Sequence, residues 1–315
     1  MIKFSDYDVK KNPYKYFFFK LVVLFALVFV SDFLIGNVLC YYYFKQQRGA
    51  DYLTTYSIDS TRADLLIFGS SRASHHYQPA VFENHLNLTC YNAGRDGNFL
   101  FYHYGVLEAV LKRYSPKMII LDFVHGEFSK SQNSYDRISS LLPYYRSHPE
   151  MRSIIELKSP YEKLKFLSKI YPYNSLMLIM AGGNTLFSKK EREDIDGYIP
   201  LTNVWNDAIK IENTPIKYEI DSIKIKVYKS FIQACINSKV KLYIICSPYF
   251  LKSTDADYSV KLAEEIANKY NVKFFDYSRD STFINSPKLF YNAEHLNNEG
   301  AKVFSIKVVD FISSY

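Results

Sequence analysis

Residues 64–72 read Asp64–Leu65–Leu66–Ile67–Phe68–Gly69–Ser70–Ser71–Arg72. A short, unbroken apolar run that ends in glycine and serine reads as a strand buried on both faces, followed at once by a turn. Four more such runs follow, at Leu88–Asn92, Met118–Asp122, Val240–Cys246 and Val272–Asp276. Between and beside them lie segments with helical spacing: Pro79–Leu86, Phe99–Arg113, Asp221–Asn237, Tyr258–Tyr270 and Glu299–Ile312. Buried strands alternating with amphipathic helices predict an α/β domain over residues 63–315, with about five parallel strands and helices on both faces of the sheet. The stretch from Glu127 to Pro215 breaks that rhythm. It is too long for a loop, so residues 127–215 are expected to form an inserted helical subdomain, placed as a lid over the strand ends.

In an open parallel sheet the site lies beyond the carboxyl ends of the strands. The residues that bear chemistry fall there: Gly69–Ser70–Ser71–Arg72 after the first strand, Asn92–Ala93–Gly94–Arg95–Asp96–Gly97 after the second, and Leu289 to Asn297 before the last helix. A serine at a strand-to-helix turn presents its hydroxyl at the mouth of the sheet and its N–H near a helix N-terminus. That combination suits a nucleophile whose own amide stabilises an oxyanion. Each residue also has an ordinary reading: serine caps helices, glycine makes turns, and a lone histidine packs. The three in this order form the stronger pattern.

That pattern resembles the SGNH/GDSL hydrolases, over roughly residues 62–315. Gly69–Ser70–Ser71–Arg72 is similar to the first family block, which implies Ser71 as nucleophile, with Ser70 where Asp is usual. Asn92 to Gly97 is similar to the second block, implying the Gly97 N–H as an oxyanion donor beside that of Ser71. Phe290 to Gly300 is similar to the last block, which maps the catalytic base onto His295. Two positions depart from the family. After the third strand, Asp122–Phe123–Val124–His125–Gly126–Glu127 has no Asn to donate to the oxyanion, and His125 falls nearest. Asn292 stands three residues before His295, where the family has Asp. An amide accepts the imidazole N–H but adds no charge to stabilise the imidazolium; in a serine protease the same replacement costs about four orders of magnitude. Asp276 and Asp280 are candidates to supply the missing charge.

The resemblance implies a flavodoxin-like three-layer fold and a serine esterase or O-acyltransferase that needs no metal or other cofactor. It points to the branch associated with bacterial envelope and exopolysaccharide products, hence to an acylated, most simply O-acetylated, glycan as substrate. The alternative is a catalytically inactive glycan-binding or assembly subunit working with other polysaccharide assembly proteins.

Ahead of this domain, residues 21–43 read LVVLFALVFVSDFLIGNVLCYYY, about the length needed to cross a bilayer, with Asp32 the only charge inside. The sequence assigns Asp32 no role. Lysines precede this stretch and the aromatic cluster Tyr41–Phe44 lies at its C-terminal end. The positive-inside rule then predicts a cytoplasmic tail (1–20), an uncleaved transmembrane signal anchor (21–43), a linker (44–62) and an extracytoplasmic domain. A cleaved signal peptide is the alternative, although no A-x-A site follows. The formal charge is +7, but Lys3, Lys10, Lys11, Lys15, Lys20, Lys45 and Arg48 against Asp6, Asp8 and Asp32 put +4 of it in residues 1–48. No basic stripe remains for nucleic acid. The cysteines Cys40, Cys90, Cys235 and Cys246 lack CxxC or metal spacing and read as free thiols.

Overall fold

A computed structural model describes residues 12–177, 180, 194–205, 218–250 and 257–314. Five parallel strands form one sheet: β1 (Leu65–Phe68), β2 (Cys90–Asn92), β3 (Met118–Asp122), β4 (Lys241–Cys246) and β5 (Lys273–Asp276), in the order β2-β1-β3-β4-β5. In register, Leu65 stands beside both Cys90 and Met118, and Asp122 beside Ile245. The chain moves outward from β1 to β2 and then crosses to β3 on the other side. The carboxyl end of β1 is therefore the topological switch point, where such sheets open a crevice.

The unbroken apolar run of β1 follows from its central place. Leu66 and Phe68 enter one hydrophobic layer, Leu65 and Ile67 the other, and all four are fully buried. The first layer is closed by α2 (Gly49–Asp59), α5 (Leu100–Arg113), α6 (Ser222–Asn237) and α7 (Tyr258–Lys269), through Ile58, Val106, Phe231 and Ala263. The second is closed by α3 (Ser71–His76), α4 (Pro79–Leu86) and α8 (Asn298–Ser313), through Ala73, Phe82, Phe304 and Val308. This is the three-layer α/β/α arrangement expected. The four cysteines are free.

Two segments differ from expectation. The stretch 44–62 is not an open linker. It holds α2, whose Thr54 hydroxyl meets that of Tyr102 at 2.9 Å; the Ile58 carbonyl at its C-terminal end and the Thr61 carbonyl just beyond accept from the Arg113 guanidinium. The described part of the insertion is a chain of short turns, because Pro143, Pro149, Pro160 and Pro172 interrupt longer helices. Most of it packs beside α5 rather than over the strand ends. Leu141, Met151 and Ile154 sit against Gly105, where a side chain would run into Leu141. Only residues 194–205 cross the site end, as a strap whose backbone bonds to Asn92, Ser74, Phe290 and Asn298.

Preceding the sheet is α1 (Pro13–Phe44), one helix long and apolar enough to cross a membrane. Most of its side chains are exposed, and only Gly36 and Tyr43 are buried.

Candidate active site

The turn after β1 has little room. Gly69 takes φ +149°, and a side chain there would come within 2.8 Å of both Ala73 Cβ and Asp122 Cβ. Ser70 caps α3 by accepting from Arg72 N–H at 3.4 Å, which leaves Ser71 as the first helical residue. At that position the N–H has no acceptor within the helix.

Ser71 Oγ lies 2.7 Å from His295 Nε2, and His295 Nδ1 lies 3.1 Å from Asn292 Oδ1. The same Oδ1 accepts the backbone N–H groups of Glu294 (2.9 Å) and His295 (2.8 Å), which can only donate. The carboxamide therefore cannot be flipped, since its NH₂ would then face two N–H groups. An oxygen opposite Nδ1 requires the proton on Nδ1 and leaves the Nε2 lone pair facing the serine. This is the tautomer a general base needs. Burial, aided by the positive charge of His75 and Arg72, lowers the His295 pKa to about 4, so the ring is neutral near pH 7.

The loop of His295 is held by the helix that begins at Ser71. Arg72 Nη1 donates to the Glu294 carbonyl at 3.2 Å, and Leu296 N–H donates to His76 Nε2 at 3.0 Å. Because His76 Nε2 accepts, its proton sits on Nδ1, 3.0 Å from Ser247 Oγ. Full burial, with the charge of Arg72 next, holds the His76 pKa well below the ordinary histidine value. Arg72 also bonds the Ser247 carbonyl and hydroxyl, covers the Tyr249 ring at 3.3 Å and stands 3.9 Å from Asp122. Burial raises the pKa of Asp122 despite Arg72.

His75, one helical turn after Ser71, makes a T-shaped contact with His295 at 5.4 Å between ring centres. Its Nδ1 faces the Ile199 carbonyl of the strap at 2.7 Å and its Nε2 faces Asp96 at 3.3 Å. Acceptors on both nitrogens favour the doubly protonated ring. Burial opposes that charge, but Asp96 and the carbonyl outweigh it, and the pKa is raised. The Asp96 pKa is lowered: burial disfavours its charge, and the bonds from His75 and Ser74 prevail.

Asp96 shares its turn with Gly97, which takes φ +66° beneath the exposed Arg137 guanidinium. The turn is joined to the nucleophile's turn by Arg95 N–H to the Gly69 carbonyl (2.9 Å) and by Asn92 Nδ2 to the Ala73 carbonyl (2.7 Å). Among the described residues, the Gly97 N–H makes no backbone hydrogen bond. His125, after β3, stacks on Tyr249 at 4.1 Å and has a buried Nε2 with no partner among the described residues. Burial lowers its pKa to about 4.

The structure thus brings Ser71, His295 and Asn292 into one hydrogen-bonded line and places Gly97 on a turn tied to the turn of Ser71. Among the described residues, no hydrogen bond joins His125 to Ser71 or His295. Neither expected substitute carboxylate joins this line. Asp276 accepts from Ser278 N–H, and Asp280 caps a turn and pairs with Lys307. The sequence reading passed over the His75–His76 doublet. Its signal was there: two imidazoles four and five residues after the nucleophile lie one helical turn along, at the same rim. Compared with known proteins, the chain matches no family model and no curated sequence.

Proposed function

We propose that this chain is a membrane-anchored serine esterase or O-acyltransferase of SGNH type, with Ser71 as nucleophile and His295 as base. The observation that carries the reading is the 2.7 Å Ser71–His295 contact together with an Nδ1 proton held by Asn292 Oδ1. As Ser71 Oγ attacks an ester carbonyl, its proton passes to His295 Nε2 and a tetrahedral oxyanion forms. The N–H groups of Ser71 and Gly97 are the donors assigned to that oxyanion, with the neutral His125 ring as the third. Collapse expels the alcohol, which takes the proton back from His295. Water or a sugar hydroxyl then accepts the acyl group by the reverse sequence.

An O-acylated envelope or extracellular polysaccharide is the substrate class we assign. The reading rests on the anchor with its lysine-rich N-terminal side, on an outward-facing domain, and on the likeness of the sequence blocks. One observation favours a second reading. With no carboxylate at position 292, the imidazolium lacks its usual counter-charge, as expected of a subunit that binds acylated glycan without cleaving it.

Turnover of a chromogenic acetate ester by the purified full chain separates the two. The enzyme reading predicts hydrolysis that Ser71→Ala lowers by at least about a hundredfold. Equal rates for both proteins would support the binding subunit.

A further inference from the structure

Helix α1 is attached to the domain well below its C-terminal end. Asp32 accepts Ser168 Oγ–H (2.5 Å), Lys169 N–H (2.6 Å) and Ile170 N–H (3.3 Å). One turn further on, Gly36 lies so close to Lys169 that a side chain would overlap it, and Lys169 Nζ bonds Asn37 Oδ1 at 3.1 Å. The remaining faces of the helix stay apolar and exposed at Phe33, Leu34, Ile35, Val38, Tyr41 and Tyr42.

The rise along the helix sets the depth of this attachment. A span of about 20 residues starting at Leu21 ends near Cys40, and one starting at Phe17 ends near Gly36. Asp32 is then about 6–12 Å inside the boundary on the domain's side, at 1.5 Å per residue. The segment bonded to it lies at the same depth.

Its surface suits that place. Tyr161, Leu164 and Leu167 are 68%, 63% and 74% exposed, and they are the exposed large apolar residues of a nine-residue stretch that also holds Lys163, Lys165 and Lys169. Beneath them the segment is packed and hydrogen-bonded. Phe166 stacks on Tyr145 at 3.6 Å, and the buried Glu162 accepts from Ser159, Lys165 and Tyr171. Apolar and aromatic tips ringed by lysines match an acyl-chain boundary faced by phosphate headgroups.

We propose that residues 159–170 form a second membrane contact. Tyr161, Leu164 and Leu167 enter the leaflet on the domain's side, and the lysines meet lipid phosphates. The inference rests on α1 spanning the bilayer, and it adds that the domain is seated in the lipid surface rather than suspended above it. The partner is the lipid surface itself, with anionic phosphate headgroups preferred.

The test uses the full chain in vesicles of phosphatidylcholine with a minority of phosphatidylglycerol, containing lipids brominated near the headgroup end of the acyl chain. Leu164→Trp and Leu167→Trp alter exposed positions and leave the packing intact; Leu27→Trp, on an exposed face in the middle of α1, reports on the anchor. The single native Trp205 supplies the background. At the expected depth of about 5–10 Å, tryptophan at 164 and 167 is quenched at least about twofold more than in the parent chain. Protection of α1 is read separately, with lipids brominated at mid-chain quenching position 27. Quenching at 27 without quenching at 164 and 167 overturns the second contact and leaves the anchor standing. Quenching at none of the three overturns both.

Discussion

At the residue scale, the proposed chemistry turns on Asn292. In the protease case, replacing the carboxylate by an amide is costly because the amide holds the imidazole in the wrong tautomer. Here two backbone N–H groups fix the carboxamide with its oxygen toward His295, so only the charge is missing. Asn292→Asp is expected to raise kcat/KM for an acetate ester by roughly one to two orders of magnitude, less than the full protease effect. The pH profile supplies an independent readout. A general base must be neutral, so the rate rises with pH through the His295 pKa of about 4 and is level above it. A carboxylate at 292 favours the imidazolium, raises that pKa and moves the acid limb to higher pH. A slower variant with an unmoved limb would show that the charge at 292 plays no part.

At the scale of the element, α3 places four residues of the site within six: Ser71 facing His295, Arg72 and His76 holding the His295 loop, and His75 joining Asp96 to the strap. Arg72 is the member whose loss is felt most widely. Arg72→Met leaves Asp122 buried without its cation and is expected to cost about 3–5 kcal/mol of stability. Adding Asp122→Leu should recover part of that loss, because the uncompensated carboxylate goes with it. Denaturant unfolding of both variants checks this, and a double variant no more stable than the single one would count against it. The same helix marks where sequence reading stopped. The strands were legible because their apolar runs are set locally, and Ser71 and His295 because turn residues surround them. The links from Arg72 to Glu294 and from His76 to Leu296 span 222 and 220 positions, and no local pattern encodes them. The helix at 49–59 was hidden for a related reason: its buried face mixes Asp51, Thr54 and Ser57 with Leu53 and Ile58, so hydrogen bonds and an ion pair share its docking and no unbroken apolar stripe marks it.

For the whole molecule, the anchor and the domain are one packed unit. Tyr43, at the end of α1, is 1% exposed among Tyr144 and Tyr173, while Tyr41 two residues earlier is 60% exposed. Tyr43→Ala in the detergent-solubilised chain is expected to cost about 3–5 kcal/mol, the range for losing a buried aromatic ring, and Tyr41→Ala less than about 0.5 kcal/mol. Equal effects would mean that α1 is only tethered to the domain. The positions that fasten this unit, Asp32, Gly36 and Tyr43, all fall inside a stretch whose composition reads simply as lipid-facing, so the sequence did not reveal the docking. The proposed function makes Ser71 a serine activated by His295, and covalent labelling tests that activation without knowledge of the substrate. The full chain is treated with a fluorophosphonate probe and the modified peptide identified by mass. We expect one adduct, on Ser71, abolished by Ser71→Ala, strongly reduced by His295→Ala, and formed faster as pH rises through about 4. A chain that stays unlabelled, or that labels equally after Ser71→Ala, would contradict the assignment of Ser71 as a nucleophile.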